Sequence, residues 1–213
     1  RYEQVKSLER RSLWGQALNE LEPLVSQLVS LPQTTPASEA LKYDCLELKA
    51  QLLIATDQGS EAEVLMVSLY QDLMGKEGMQ SLRSARAAAN LARYWQSTDR
   101  IAEAEQGFAY AHSVFHQQLG ETHHKTQGLC DRIIECAIAR KDFGKAQHLT
   151  TEAMKARSRD WGLNHPLVAH SLNMLGRIWL EQRQFDDARD VLFQAKAIYD
   201  QYPNTGDFNL VLV

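Results

Sequence analysis

The sequence has few of the residues that interrupt helices. It carries only 5 Pro and 11 Gly among 213 residues. No stretch alternates between apolar and polar residues for long enough to form a strand. Runs of β-branched residues, which favour strands, are also scarce. These absences predict an all-α fold.

Long apolar runs and an excess of one charge are absent as well. No apolar stretch reaches about 18 residues, the minimum for a membrane-spanning helix, and no secretory leader pattern precedes the first helical residues. The chain has 23 Lys+Arg and 27 Asp+Glu, a formal net charge of -4. This balance gives no general attraction to nucleic acid or to anionic membranes, so we expect neither as a partner.

Cysteine is scarce too. Cys45, Cys130 and Cys136 form an odd set without paired spacing, which argues against a disulfide framework. Free thiols are typical of reducing compartments, so we expect a cytoplasmic protein.

Motifs that carry catalysis are missing. The chain has no Gly-rich phosphate loop, no Gly-x-Ser-x-Gly and no His-Glu-x-x-His, so we expect neither enzyme activity nor a cofactor. A zinc site is the alternative, because His112 and His116 are four residues apart and His123-His124 follow. However, His112 follows the core-facing Ala111, and the cysteines do not join this group by spacing. No metal site is therefore expected.

A period of 42 residues is the main feature that the sequence does contain. Four repeat positions recur in three successive units, and they are occupied by Gly78, Gly120 and Gly162; by Ile101, Phe143 and Phe185; by Ala104, Ala146 and Ala188; and by Ala111, Ala153 and Ala195. Such a period indicates stacked supersecondary units that cannot bury their apolar faces alone. Apolar residues at helical spacing make each unit a pair of helices.

The repeat predicts one domain over residues 1–213 with about five helix pairs. Its predicted parts are a degenerate first pair with a Pro/Thr-rich linker at 1–37, a weak repeat at 38–77, clear repeats at 78–119, 120–161 and 162–203, and a tail or the start of a further helix at 204–213. The register at 38–77 stays open, because aligning Ala62 with Ala104 puts Lys49 where Leu91 stands. The pattern is cut at both ends, which favours a piece of a longer protein.

The fifth unit shows how the helices of one pair are expected to pack. Leu172, Leu175 and Gly176 form an apolar stripe in which the glycine lets two backbones approach closely. The large side chains of Trp179 and Phe185 are predicted to fill the remaining space. Trp14 and Trp95 are interpreted as packing residues, and Trp161 as a loop residue that either anchors a partner or packs on its neighbour.

The repeats resemble the tetratricopeptide repeat, in the long variant found in kinesin light chains and in many bacterial signalling proteins. The resemblance rests on Gly162-Leu163-Asn164-His165-Pro166, Leu172-Asn173-Met174-Leu175-Gly176, Phe185-Asp186-Asp187-Ala188 and Ala195-Lys196-Ala197-Ile198, and it covers about residues 78–202 strongly. The fourth unit departs from it, since Gly128 and Ile134 stand where the fifth unit has His170 and Gly176.

The resemblance implies a right-handed α-solenoid of antiparallel helix pairs that binds an extended peptide or another protein in a concave groove lined by the first helix of each pair. The second, fifth and ninth positions of those helices are Arg86, Ala89 and Arg93; Gly128, Asp131 and Glu135; and His170, Asn173 and Arg177. The predicted groove residues are Arg86, Asn90, Arg93, Asp131, Glu135, His170, Asn173 and Arg177.

In this groove Asn173 would hold a ligand backbone, and the arginines would bind carboxylates of a partner with acidic character. The arginines are equally interpreted as solvated charges, or as partners of Asp131 and Glu135 within the fold. Two other functions stay open. One is self-association, as a homodimer through an uncapped end near the apolar segment 208–213. The other is a regulatory arm of a larger kinase or ATP-dependent transcription regulator.

Overall fold

The computed structural model describes residues 1–30 and 35–202, and every regular element among them is a helix. The ten helices are α1 (Tyr2–Arg10), α2 (Trp14–Val29), α3 (Pro36–Ala55), α4 (Gly59–Glu77), α5 (Leu82–Ser97), α6 (Ile101–Leu119), α7 (His124–Ala139), α8 (Phe143–Trp161), α9 (Pro166–Glu181) and α10 (Phe185–Tyr199). The predicted further helix at 204–213 lies outside the described residues. The predicted all-α class is confirmed.

The turn inside each pair repeats the same backbone conformation. Asp57, Asp99, Lys141 and Arg183 are spaced by 42 residues, and with Ser12 they have φ between 58° and 63°. The register that the sequence left open follows from this series. Gly59 begins α4 as Ile101 begins α6, so Ala62 is equivalent to Ala104, and both are fully buried. Lys49 therefore stands at the position of Leu91.

A proline begins α3 inside the segment that was predicted to be a linker. Thr35 is the N-cap, and its hydroxyl accepts a hydrogen bond from the Ser38 amide. The Ser38 hydroxyl in turn accepts from the Thr35 amide, which completes a capping box. Pro36 fits the first helical position because no backbone amide is needed there.

The chain divides into two compact units, residues 1–94 and 95–213. In the first unit, α1, α2 and α3 share an apolar cluster of buried residues, with Val5, Leu21 and Leu52 among them. In the second unit, α7, α8, α9 and α10 share a larger cluster around Ile134 and Ile178. Within each unit, helices adjacent in sequence pack against each other.

The sequence predicted a close approach of two helices at Gly176, and the structure has this approach between α9 and α10. A Cβ atom added to Gly176 would lie 2.6 Å from the side chain of Leu192. Trp179 packs against the same apolar cluster, as predicted. A residue larger than glycine at position 176 would displace the Leu192 side chain or α10 itself.

Three large residues are placed differently from the prediction. Phe185 does not fill space in the core, because 63% of its surface is exposed. Its repeat equivalent Phe143 is half-buried against the cluster that α9 contributes to, whereas α10 has no following helix among the described residues. Trp14 is likewise exposed. Trp161 is the last residue of α8, not a loop residue, and its ring stacks on His165 with centroids 5.5 Å apart.

Candidate functional site: the polar face of the first helices

In the first unit, the predicted groove residue Arg86 is held by carboxylates of the preceding first helix. Its Nη2 atom lies 2.9 Å from Asp44 Oδ1, and its Nε atom lies 3.0 Å from Glu47 Oε1. Burial raises the pKa of Glu47, and the Arg86 charge only partly offsets this. Arg86 therefore links α3 and α5 and has limited freedom to bind a partner.

Asn90 and Arg93 follow one turn further along α5. The Arg93 Nη1 atom donates a hydrogen bond of 3.0 Å to Asn90 Oδ1. Asn90 is half-buried and Arg93 is exposed. This hydrogen bond is local to one helix, but the Arg93 charge also acts on Glu47 of α3, where it opposes the rise in pKa that burial causes.

In the second unit, Asp131 is the centre of a polar cluster. Both of its carboxylate oxygens accept hydrogen bonds of 2.8 Å from Arg157 Nη2, and Oδ2 lies 3.3 Å from His170 Nε2. Burial alone would raise the pKa of Asp131, but the hydrogen bond from His170 and the Arg157 charge together lower it. Asp131 therefore joins α7 to α9, just as Glu47 joins α3 to α5.

Arg157, which the sequence analysis did not single out, is the residue that holds this cluster together. It is only 1% exposed. Besides Asp131, it donates to Gln127 Oε1 at 3.2 Å and to Ser171 Oγ at 2.8 Å. In each of the four remaining pairs the equivalent position holds a buried, mainly apolar residue. These residues are Leu28, Leu73, Phe115 and Tyr199. A cation at an otherwise apolar repeat position was the sequence signal that could have identified it.

The remaining predicted residues lie along α7 and α9. Glu135 accepts from Arg132 Nη1 at 2.9 Å and from Gln96 Nε2 at 3.3 Å. Asn173 is 5% exposed, so it belongs largely to the core. Arg177, one turn beyond Asn173, is half-buried and has neither an ion pair nor a hydrogen bond to any described residue. It is thus the predicted arginine whose guanidinium is available.

Other chemistry in the described part of the chain is limited. Within residues 1–30 and 35–202, no three His, Cys, Asp or Glu side chains come together as a metal site would require. The rings of His112 and His116 are 5.9 Å apart. The three thiols are free, and burial raises the pKa of each to about 11, which keeps them protonated at neutral pH. None of the described helices is long and apolar enough to cross a membrane.

Comparison with known proteins agrees with the repeat geometry. Residues 168–199, which cover most of α9 and α10, match the tetratricopeptide repeat family. This segment is therefore similar to a tetratricopeptide repeat. No curated protein matches the chain by sequence.

Solved structures extend the tetratricopeptide-like fold over almost the whole chain. One holds the nearly identical TPR-like repeats of a protein assigned as a kinesin light chain from Podosopora anserina, with 18% identity and a TM-score of 0.83 over 96% of this chain and 95% of that one. A single-residue variant of it gives 17% identity and the same TM-score and coverage. BtubC (BKLC) from P. vanneervenii gives 16% identity and a TM-score of 0.80, over 95% of this chain and 80% of that one.

These matches confirm the predicted α-solenoid of tetratricopeptide-like helix pairs. Proteins built from stacked repeats of this kind commonly bind other proteins on the surfaces that the repeats present.

Proposed function

We propose that the chain is a non-catalytic, cytoplasmic scaffold module of a larger regulatory or signalling protein, and that it binds a segment of a partner protein along its first helices. The observation that carries the proposal is the available guanidinium of Arg177, which shares a face of α9 with His170 and Asn173 at helical spacings of seven and four residues. A free arginine beside polar side chains favours a partner segment with carboxylates, because its planar fork binds them in a bidentate manner.

The contacts narrow the surface that the sequence suggested. Arg86 and Asp131 are already engaged between neighbouring first helices. Arg177 in the second unit is the predicted cation that has neither an ion pair nor a hydrogen bond to any described residue. The expected ligand therefore carries few acidic residues, not a continuous acidic run.

A peptide selection with a charge-matched control tests this proposal. Peptides from a phage-displayed library would be selected on the purified native chain. The affinity of the best binders for the native chain, R177E and R189E would then be measured by fluorescence anisotropy. We expect selected peptides to contain Asp or Glu, and R177E to weaken binding by about tenfold or more, which is about 1.4 kcal/mol.

R189E is the control because Arg189 is an exposed arginine on the second helix α10, and the substitution makes the same change of charge. It should leave affinity nearly unchanged. Equal losses in both variants, or no loss in R177E, would contradict binding along the first helices.

Self-association is the second candidate function, and it is supported by the surface of α10. Phe185 and Phe193 are 63% and 64% exposed, and exposed aromatic residues favour contact with another protein surface. Sedimentation equilibrium over a wide concentration range should then show a dimer in the native chain and a monomer in F185E/F193E. A monomer for both proteins at high concentration would exclude this candidate.

A further inference from the structure

A second cation also stands at a repeat position that is apolar in the three following pairs. Lys49 of α3 occupies the position of Leu91, Ile133 and Leu175 in the three following pairs. Leu91 and Leu175 are buried, and Ile133 is half-buried. The Lys49 side chain is 26% exposed, and its Nζ atom lies 3.2 Å from Glu22 Oε1 of α2.

A groove of about 480 Å³ opens beside Lys49 between α3 and α4 in the first unit. Its lining residues are Lys49, Leu53, Ser60, Glu61, Val64, Leu65 and Ser68. Leu53 is buried and Leu65 is half-buried, and these two side chains give the groove an apolar floor. The groove is largely open to solvent.

Val64, on the rim of the groove, also departs from the repeat, but here an apolar residue stands where the following pairs have polar ones. It is 71% exposed. The equivalent residues of the next three pairs are Gln106, His148 and Asp190, which are all polar and exposed. The groove therefore combines a cation where the three following pairs are apolar with an exposed apolar side chain where those pairs are polar.

The chemistry of the lining selects the kind of group that fits. An ammonium has three donors, and the hydrogen bond to Glu22 uses one of those on Lys49. Ser60 and Ser68 add hydroxyl donors, while Glu61 contributes the one carboxylate in the lining. An aliphatic side chain next to a carboxylate would place its apolar part on Leu53 and Leu65 and its charge near the ammonium.

We propose that this groove is an interaction site for a partner protein segment that presents an aliphatic side chain next to a carboxylate. The site lies on α3 and α4, so it does not depend on the surface of α9 described above. Charge complementarity to Lys49 and the exposed apolar rim at Val64 define the occupant.

Three leucine derivatives that share the same side chain but differ in charge test the proposal. N-acetyl-leucine carries the aliphatic group and a carboxylate, N-acetyl-leucinamide is neutral, and leucinamide is cationic. Each would be titrated into the full chain with labelled Leu and Val methyl groups, and methyl chemical shifts would be followed by NMR. We expect saturable shifts at Leu53, Val64 and Leu65 with N-acetyl-leucine, with a Kd of about 1 mM or weaker, and much smaller shifts with the other two compounds.

Two variants locate the effect in the groove. K49M keeps an unbranched side chain without the charge, and V64Q introduces the residue that the next pair carries at this position. Both should weaken N-acetyl-leucine binding by about tenfold, while methyl shifts far from the groove stay as in the native chain.

Three results would overturn the proposal. They are equal binding of leucinamide, unchanged binding in K49M, and the absence of saturable shifts at these methyl groups. R177E alters the proposed binding surface of α9 and should leave N-acetyl-leucine binding unchanged.

Discussion

Lys49 in the first unit and Arg157 in the second are the same kind of departure from the repeat with opposite structural outcomes. Each places a cation where the following pair has an apolar residue, Leu91 after Lys49 and Tyr199 after Arg157. Arg157 is buried and forms hydrogen bonds to Gln127, Asp131 and Ser171. Lys49 has a single carboxylate partner on α2 and borders an open groove.

Side-chain geometry explains the difference. The guanidinium is planar and presents five donors in fixed directions, so surrounding acceptors can satisfy it inside a core. The ammonium is strongly hydrated and keeps part of its surface in water. A charge at a core position of a repeat therefore becomes structural when the fold supplies its acceptors, and it becomes a feature of the surface when the fold does not.

The largest expected effect comes from replacing Arg157 with the residue of the preceding repeat. R157F leaves Asp131 with a buried charge and His170 as its remaining partner, and this should lower the free energy of unfolding by about 3–5 kcal/mol. Urea denaturation followed by circular dichroism would measure the loss.

The matched control for this prediction copies the whole repeat environment. Q127A/D131A/R157F carries the residues found at Ala85, Ala89 and Phe115. It removes the buried charge pair as a unit, so its stability should stay within about 1 kcal/mol of the native chain or exceed it. If the triple variant were as unstable as R157F, the decrease in the free energy of unfolding would come from altered packing and not from an unpaired charge.

A second prediction compares two glycines that lie at different repeat positions of the first helices α9 and α7. G176A forces the added Cβ against Leu192, and this overpacking should cost about 1–3 kcal/mol, more than the gain in helix propensity. Nothing lies within 4 Å of a Cβ added at Gly128 in the middle of α7. G128A should therefore raise the free energy of unfolding by about 1 kcal/mol. If G176A and G128A changed the free energy of unfolding by similar amounts in the same direction, the close contact of α9 with α10 would be refuted.

K49L is the counterpart of R157F and should have the opposite sign. Leucine at position 49 restores the apolar pattern beside Leu53, while the ion pair with the exposed Glu22 is worth little. We expect a gain in the free energy of unfolding of about 1 kcal/mol from the added apolar burial. A loss as large as that of R157F would show that the two cations have the same structural role.

Mild acid should act on the second unit through its helix caps. The Nδ1 atoms of His123 and His165 accept hydrogen bonds of 3.2 Å from the amides of Lys125 and Leu167, and a protonated imidazole cannot accept them. Burial lowers the pKa of His123, with His124 and Lys125 adding to the effect. The unfolded chain therefore binds the proton more readily, so this contribution to stability is present above pH of about 6.5 and is lost as the pH falls through the lower folded value.

An asparagine cap provides the control for the acid experiment. Asn is a good N-cap and does not titrate, so H123N should weaken the dependence of the melting temperature on pH between pH 7 and 5. The slope that remains belongs to groups such as His112, whose pKa is lowered by burial and by His116. An unchanged slope would exclude the His123 cap as its source.

The sequence predicted the fold well because the period of 42 residues fixes both the helix faces and the turns. Ala104, Ala146 and Ala188 were identified by spacing alone, and all three are fully buried. The resemblance to the tetratricopeptide repeat supplied the order of the helices, and the matched segment at 168–199 and the solved structures agree with it.

The errors have a common physical origin. A repeat pattern shows which side chains face a neighbour but not whether a neighbour covers them, so Phe185 was expected in the core like Phe143. It also gives no partner for a side chain that breaks the pattern. The contacts of Arg157 join residues that are 14–30 positions apart in sequence, and only the folded chain brings these together.

The left-handed residues in the five turns have a consequence for how such a chain can be modified. Ser12, Asp57, Asp99, Lys141 and Arg183 share a conformation that costs a non-glycine residue about 1–2 kcal/mol, yet their side chains range from a small hydroxyl through two carboxylates to two long cations. The reversal must therefore be imposed by the two helices that flank it. An engineer could exchange these five side chains, or graft one hairpin for another at their junctions, without rewriting the sequence that makes the chain turn back on itself.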